Sequence, residues 1–256
     1  MSDLPVYYLV ISLVVCASLL WIRTRAIKQN FEIRFVLDLS LLGLTSGLIG
    51  ARALHVLYEY PVLYFKEPWR ILDFGRGGYV YYGGLLLGLF SVWFFLHQKK
   101  TPGINQYFDL AAPVLSFGYA AGRVACLLSG CCYGPISDVF WAVNIQDESG
   151  LFHHRHPTPL YASLTELIIL YFVLSIEKNR EQIFKGFFKT SGQLFFIWLF
   201  LHSAARFFLE FWRDDFRGPQ YLFSISGWIS LALICFSLIF LLDLKSTIRR
   251  LTGGLS

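Results

Sequence analysis

Charge is scarce in this chain. Asp, Glu, Lys and Arg make up 15% of its 256 residues, against about 25% in soluble domains. That excludes a disordered chain, which combines low hydrophobicity with high net charge, and it argues against an ordinary soluble fold. There is no internal repeat and no low-complexity linker, so nothing divides the sequence into modules. No nucleotide, flavin or haem motif occurs, and no cofactor is expected. A net charge of +5 is too small to suggest nucleic acid as a partner. The last apolar run, 221–244, has no lysine, which disfavours a retinal protein with its Schiff base.

What is present is apolar: 55% hydrophobic residues, 18% aromatic, and a mean hydropathy of +0.54. A helical span takes about 20 apolar residues, and seven stretches qualify: 6–22, 35–57, 79–97, 107–128, 158–176, 190–209 and 221–244. The sequence therefore predicts an all-α polytopic membrane protein, with one integral membrane domain over 1–256. The first stretch has no basic residue before it and no small-residue cleavage site after it, so a retained helix is expected rather than a signal peptide. The fourth stretch, with Asp109, Pro113 and Arg123, has the alternative of being re-entrant.

Orientation follows from the basic residues. With the N-terminus outside, the inner segments hold Arg23, Arg25, Lys28, Arg34, Lys99, Lys100, Lys178, Arg180, Lys185, Lys189, Lys245, Arg249 and Arg250. The outer segments hold only Lys66, Arg70, Arg76, Arg155, Arg213 and Arg217. The positive-inside rule then predicts N-out and C-in. Of the outer loops, 58–78 mixes aromatics with charges and suits an interfacial segment, while 129–157 carries Cys131, Cys132, His153, His154 and His156.

Three arginines remain inside spans. An Arg at a helix centre costs roughly 2.5–3.5 kcal/mol on insertion scales, so each calls for a function. Arg52, Arg123 and Arg206 come from three helices at similar depth near the outer leaflet. Glu210 shares a helix face with Arg206, and Arg213 extends that face. The planar guanidinium binds phosphate bidentately, so the three suggest a phospholipid-phosphate site; the competing reading is snorkelling or structural ion pairing. Gly77, Gly78, Gly83, Gly84 and Gly88, and Gly122, Gly130 and Gly134, fit either close helix packing or backbone opened towards a ligand. Cys16 and Cys235 read as mid-span packing. Adjacent Cys131 and Cys132 lack the spacing of a zinc knuckle, the histidine cluster lacks a spaced pair, and no metal site is expected. His55, His97 and His202 read as packed or interfacial, and Asp38 and Asp109 as caps or structural partners.

Five segments in order carry a resemblance. AGRVACLLSGCCYG resembles the GR…N…GxxxG signature of the prolipoprotein diacylglyceryl transferase family. IGARALHVLYEYP, PWRILDFGRGGYVYYGG, RHPTPLY and ARFFLEFWRD are similar to four further elements of that family, covering about residues 50–215. The resemblance implies a bacterial inner-membrane enzyme of seven helices with its active site towards the periplasm. Such an enzyme moves diacylglyceryl from phosphatidylglycerol to the lipobox cysteine of a prolipoprotein and releases glycerol phosphate. Its partners would be phosphatidylglycerol, lipobox peptides and membrane lipid.

By the same resemblance Arg123, Arg206, Glu210, Tyr82 and His156 are the catalytic candidates. Arg52, Gly83, Gly84, Gly122, Cys126, Gly130, Cys131, Gly134 and Arg213 are the substrate-binding ones. Three positions depart from the pattern: Tyr82 stands where the family has His, Cys126 where it has Asn, and Cys131 where it has an acidic residue. Tyr82, Glu210 and His156 are the alternatives for the base. A divergent relative with another acceptor, or with thiol chemistry at Cys131 and Cys132, and a non-catalytic lipid-binding or transport protein are the competing readings.

Overall fold

Long runs of Leu, Ile, Val and Phe have one way to satisfy their backbone in hydrocarbon without a closed barrel, which is to bond it within a helix. The computed structural model is accordingly 74% helical. It describes residues 4–73, 75, 77–146, 150–179, 191–219 and 221–252. Arg76, Arg180, Lys185 and Lys189 of the charge count, and residue 190 of the sixth predicted stretch, lie outside the described residues.

The long helices are α1 (Leu4–Lys28), α2 (Ile33–Leu54), α4 (Tyr81–Gln98), α5 (Ile104–Leu128), α6 (Thr158–Lys178), α7 (Gln193–Glu210) and α8 (Ile225–Thr252). Each overlaps one predicted stretch. Among the described residues five segments are long and apolar enough to cross a membrane: Val6–Lys28, Ile33–Glu59, Ile104–Leu128, Thr158–Lys178 and Ile225–Leu242. Helices α4 and α7 are shorter, at 18 residues each. Helix α5 runs unbroken through Pro113, so the stretch is a continuous helix rather than re-entrant. The loop after α2 starts with a π-helical turn, His55–Glu59, and continues into the short helix α3 (Pro61–Lys66) and a 3-10 turn, Pro68–Leu72.

One departure from all-α is a small antiparallel hairpin. Strand β1 (Val143–Gln146) pairs with β2 (Phe152–Arg155) in the register Val143 to Arg155, Ile145 to His153. The strands are too short to show against a polar loop background, which is why periodicity missed them.

The chain packs as two compact units. The first comprises Met1–Ile22, Asn105–Asp215 and Gly227–Ser256, and the second Arg23–Ile104 and Phe216–Ser226. Many large apolar side chains of the long helices face outward, among them Leu9, Leu13, Leu164 and Phe236, while polar groups lie inside. In hydrocarbon this arrangement is favourable, since polar groups are costly there unless partnered.

In the first unit α6 and α7 pack together around the buried Glu166. Its Oε1 accepts from Ser116 Oγ at 2.8 Å and Trp198 Nε1 at 2.9 Å, and its Oε2 lies 2.8 Å from His202 Nδ1. Asp109 of α5 caps α7 from outside that helix. Its carboxylate accepts from the backbone N–H of Gly192 at 2.8 Å and of Phe195 at 2.9 Å, two donors that a helix start leaves open.

In the second unit α2 and α4 meet along glycines. A Cβ on Gly83 would lie 2.3 Å from the Gly50 carbonyl oxygen, and one on Gly84 3.0 Å from that of Gly47. No side chain fits, and the two backbones pack directly, the usual association of helices in membranes. Gly83 and Gly84, expected to bind substrate, lie in this packing seam.

Candidate active site

The site begins at the end of α5. Arg123 and Cys126 occupy its last turns, and the helix stops in a Schellman turn: the N–H of Cys131 donates to Cys126 O at 3.1 Å, with Gly130 left-handed at φ +64°. Cys132 is also left-handed, at φ +63°. A non-glycine residue there is strained by about 1–2 kcal/mol, and the Thr158 hydroxyl holds the turn by donating to Cys132 O. Two residues on, a Cβ on Gly134 would lie 2.7 Å from Trp212 O and 2.9 Å from the His156 and Thr158 side chains. Only glycine lets the chain cross there. Gly122 has open space by comparison, with Ile11 Cδ1 at 3.8 Å from an added Cβ.

The doubled turn brings Cys132 to a small cavity in the first unit, lined by Arg123, Arg206 and Arg213 together with Thr158 and Pro159. The C-terminal ends of α5 and α7 and the first turn of α6 converge on it.

The three guanidiniums differ in their partners. Arg213 forms a bidentate pair with Asp215, Nε to Oδ1 at 2.8 Å and Nη2 to Oδ2 at 2.5 Å. Arg206 donates to Glu210 at 3.3 Å. Arg123 is buried, lies 4.7 Å over the Tyr119 ring, and has no hydrogen bond or carboxylate partner among the described residues. Among the described residues the carboxylates of the pocket pair with Arg206 and Arg213, and Arg123 is left to the neighbouring tyrosine and thiols. The Cys132 thiol is held well below its usual range, first by hydrogen bonds from Cys126 and Cys131 and further by the positive charge of Arg213 and Arg123. Cys131 is pushed up by the same hydrogen bonding seen from the donor side. The pocket thus favours negative charge.

His156 sits beside this pocket in the chain, two residues before Thr158. Its Nδ1 lies 2.9 Å from the Tyr161 hydroxyl, which accepts from Trp141 Nε1 at 2.7 Å. Thr158 went unnoticed in the sequence because attention in RHPTPLY fell on its histidine. Arg155 was read as a loop charge. It is buried, lies 4.5 Å over the Tyr133 ring, and donates to Asp214 at 2.7 Å and to Gly134 O at 3.3 Å.

Four predicted residues, Arg52, Tyr82, Gly83 and Gly84, belong to the second unit. Tyr82 is fully buried. Arg52 organises its own loop. Its Nε donates to Ile71 O at 3.2 Å, its Nη1 to Gly77 O at 2.6 Å and Gly78 O at 3.1 Å, and its Nη2 to Arg70 O at 2.6 Å and Asp73 O at 3.0 Å. A guanidinium has five N–H donors, and all five are committed to carbonyls. In this arrangement Arg52 offers none to a phosphate, contrary to the expectation from its depth in the sequence.

Fold and pocket together define a class: a multi-helix membrane protein with a buried cationic pocket at one helix end. Comparison with known proteins narrows it. The family model for prolipoprotein diacylglyceryl transferase matches residues 2–242, and the chain belongs to that family; it is a diacylglyceryl transferase. It is 26% identical over 230 residues to a phosphatidylglycerol–prolipoprotein diacylglyceryl transferase of Clostridium tetani, covering 88% of this chain and 87% of that one. A Clostridium perfringens protein of that name, numbered 2, is 28% identical over 86% of this chain and 83% of its own. One from Polaromonas naphthalenivorans is 31% identical over 78% of this chain and 73% of its own.

Proposed function

We propose that the enzyme takes phosphatidylglycerol as donor and the lipobox cysteine of a prolipoprotein as acceptor, with the lipid phosphate bound at Arg123. The observation that carries this is the buried Arg123 guanidinium, which lines a cavity with Arg206 and Arg213 and has no carboxylate partner among the described residues. A buried charge without a partner is strongly unfavourable, and an incoming phosphate supplies the partner. In the reaction the cysteine thiolate attacks the glycerol carbon of the lipid. An S–C bond forms, the C–O bond to phosphate breaks, and glycerol phosphate leaves with its negative charge on Arg123 and Arg206. These guanidiniums are fixed before the charge develops, which is the efficient form of electrostatic catalysis. Glu210 orients Arg206, and Arg213, tied to Asp215, lends charge from the rim.

The thiol must lose its proton to react. His156 is the base: an imidazole nitrogen accepts a proton readily, whereas Tyr82 is fully buried and Glu210 is engaged by Arg206.

The enzyme spans the bacterial inner membrane seven times, with α4 and α7 as its shortest spans. Eighteen helical residues are about 27 Å long, close to the hydrocarbon thickness of about 30 Å. The pocket faces the periplasm with the N-terminus on the same side. Two observations support this: Ile11 of α1 lies against Gly122 near the pocket end of α5, and the basic residues Arg25, Lys28 and Lys178 mark the far ends of α1 and α6.

The test uses purified protein in detergent with phosphatidylglycerol and a lipobox peptide. Mass gain on the peptide cysteine together with released glycerol phosphate is expected. Glycerol phosphate without peptide modification would move the acceptor elsewhere, and neither product from folded protein would overturn the reading.

A further inference from the structure

The transfer chemistry above leaves one cluster unused. The sulfurs of Cys126, Cys131 and Cys132 all lie within 4.8 Å of one another, and each thiol is free. The spacing of Cys131 and Cys132 and of the histidine cluster argues against a metal, and neither spacing includes Cys126. The Schellman turn changes the count, since it folds the chain back so that Cys126 joins Cys131 and Cys132. Cys132 is itself left-handed. A strained non-glycine residue persists only where its surroundings fix it, and here Thr158 holds the carbonyl that follows.

We propose that Cys126, Cys131 and Cys132 form a three-thiolate site for zinc(II) in the wall of the arginine pocket. Zinc–sulfur bonds are about 2.3 Å, which places the sulfurs of a tetrahedral site about 3.8 Å apart. The present separations need to close by an ångström or less, within the reach of side-chain rotation. Three thiolates around a divalent ion carry one net negative charge, at a cavity whose lining Cys132 shares with Arg123, Arg206 and Arg213. Three protein ligands leave a fourth position open, as in reactive rather than purely structural zinc sites. Because Cys132 lines the cavity, that open position would face it. Sulfur ligands select zinc over magnesium or calcium, which prefer oxygen.

The experiment uses the full chain in detergent, reduced and then freed of reductant under anaerobic conditions. Zinc(II) is added, unbound metal is removed by desalting, and retained zinc is measured. Cobalt(II) serves as the spectroscopic probe. One zinc per chain and a thiolate-to-cobalt charge-transfer band are expected. Both should be lost in Cys126→Ser and Cys132→Ser and kept in Cys16→Ser and Cys235→Ser. Failure of the first two variants to fold would leave the cobalt spectrum of the unaltered protein as the deciding measurement. No retained zinc, retention that survives replacement of all three cysteines, or a disulfide among the three in protein isolated without reductant would each overturn the site. None of these readouts depends on the lipid reaction.

Discussion

Arg52 and Arg123 are both buried arginines of apolar helices, and their surroundings differ completely. Arg52 is saturated by five carbonyls of one loop. Arg123 faces a tyrosine ring, a cluster of thiols and a cavity. One guanidinium replaces the hydrogen bonds that a loop of irregular backbone cannot make for itself. The other has no carboxylate partner among the described residues and lines a cavity open to an anion. Burial of a charge within a membrane signals importance in both cases, and the partner list tells architecture from chemistry.

That contrast can be broken in several ways, of which Arg123→Lys should have the largest effect. An ammonium cannot reproduce bidentate phosphate binding, and loss of one such stabilising group costs about 10²–10³ in turnover. Thermal stability should stay the same, since no internal hydrogen bond is lost; activity and melting measured on one preparation check both halves. Arg52→Ala should do the reverse. Buried carbonyls without donors cost about 1–3 kcal/mol each, and with water recovering some of them a net loss of about 3 kcal/mol is expected. It should be read as a lowered unfolding midpoint and as new protease cleavage between Arg70 and Gly78.

Gly83→Ala sharpens the distinction between packing and binding glycines. Its Cβ would meet the Gly50 carbonyl at 2.3 Å, and overpacking of this kind costs about 1–3 kcal/mol. Gly84→Ala, at 3.0 Å, should be milder. If Gly83→Ala left the unfolding midpoint unchanged and weakened lipid binding instead, the packing account of this seam would fail. The smallest effect is expected for Asp109→Asn, about 1 kcal/mol, because an amide still accepts one of the two N–H bonds but loses the charge at the start of α7. Hydrogen exchange of the first turn of α7 would detect it.

The helices were legible because hydrocarbon imposes a single backbone solution on long apolar runs, and every predicted stretch overlaps an observed helix. Short elements were not: α3, the 3-10 turn and the hairpin are fixed by contacts rather than by periodicity. At the site, Arg123 and Arg206 with Glu210 could be selected from charge in apolar context and helix spacing. Arg52 looked the same in the sequence, because what distinguishes it is the placement of carbonyls around 20 residues away. Cys126 was hidden differently. Its meeting with Cys131 and Cys132 depends on a left-handed turn at Gly130, which residue spacing does not display.

The most direct measurement is the phosphatidylglycerol dependence of glycerol phosphate release, taken in parallel for the unaltered enzyme, Arg123→Lys and Arg52→Lys, each confirmed folded. The account predicts that Arg123→Lys loses turnover by at least about 10² at every lipid concentration with an unchanged melting midpoint, while Arg52→Lys loses stability first. Wild-type turnover in Arg123→Lys, with the deficit appearing only in Arg52→Lys, would contradict it and place the phosphate in the second unit.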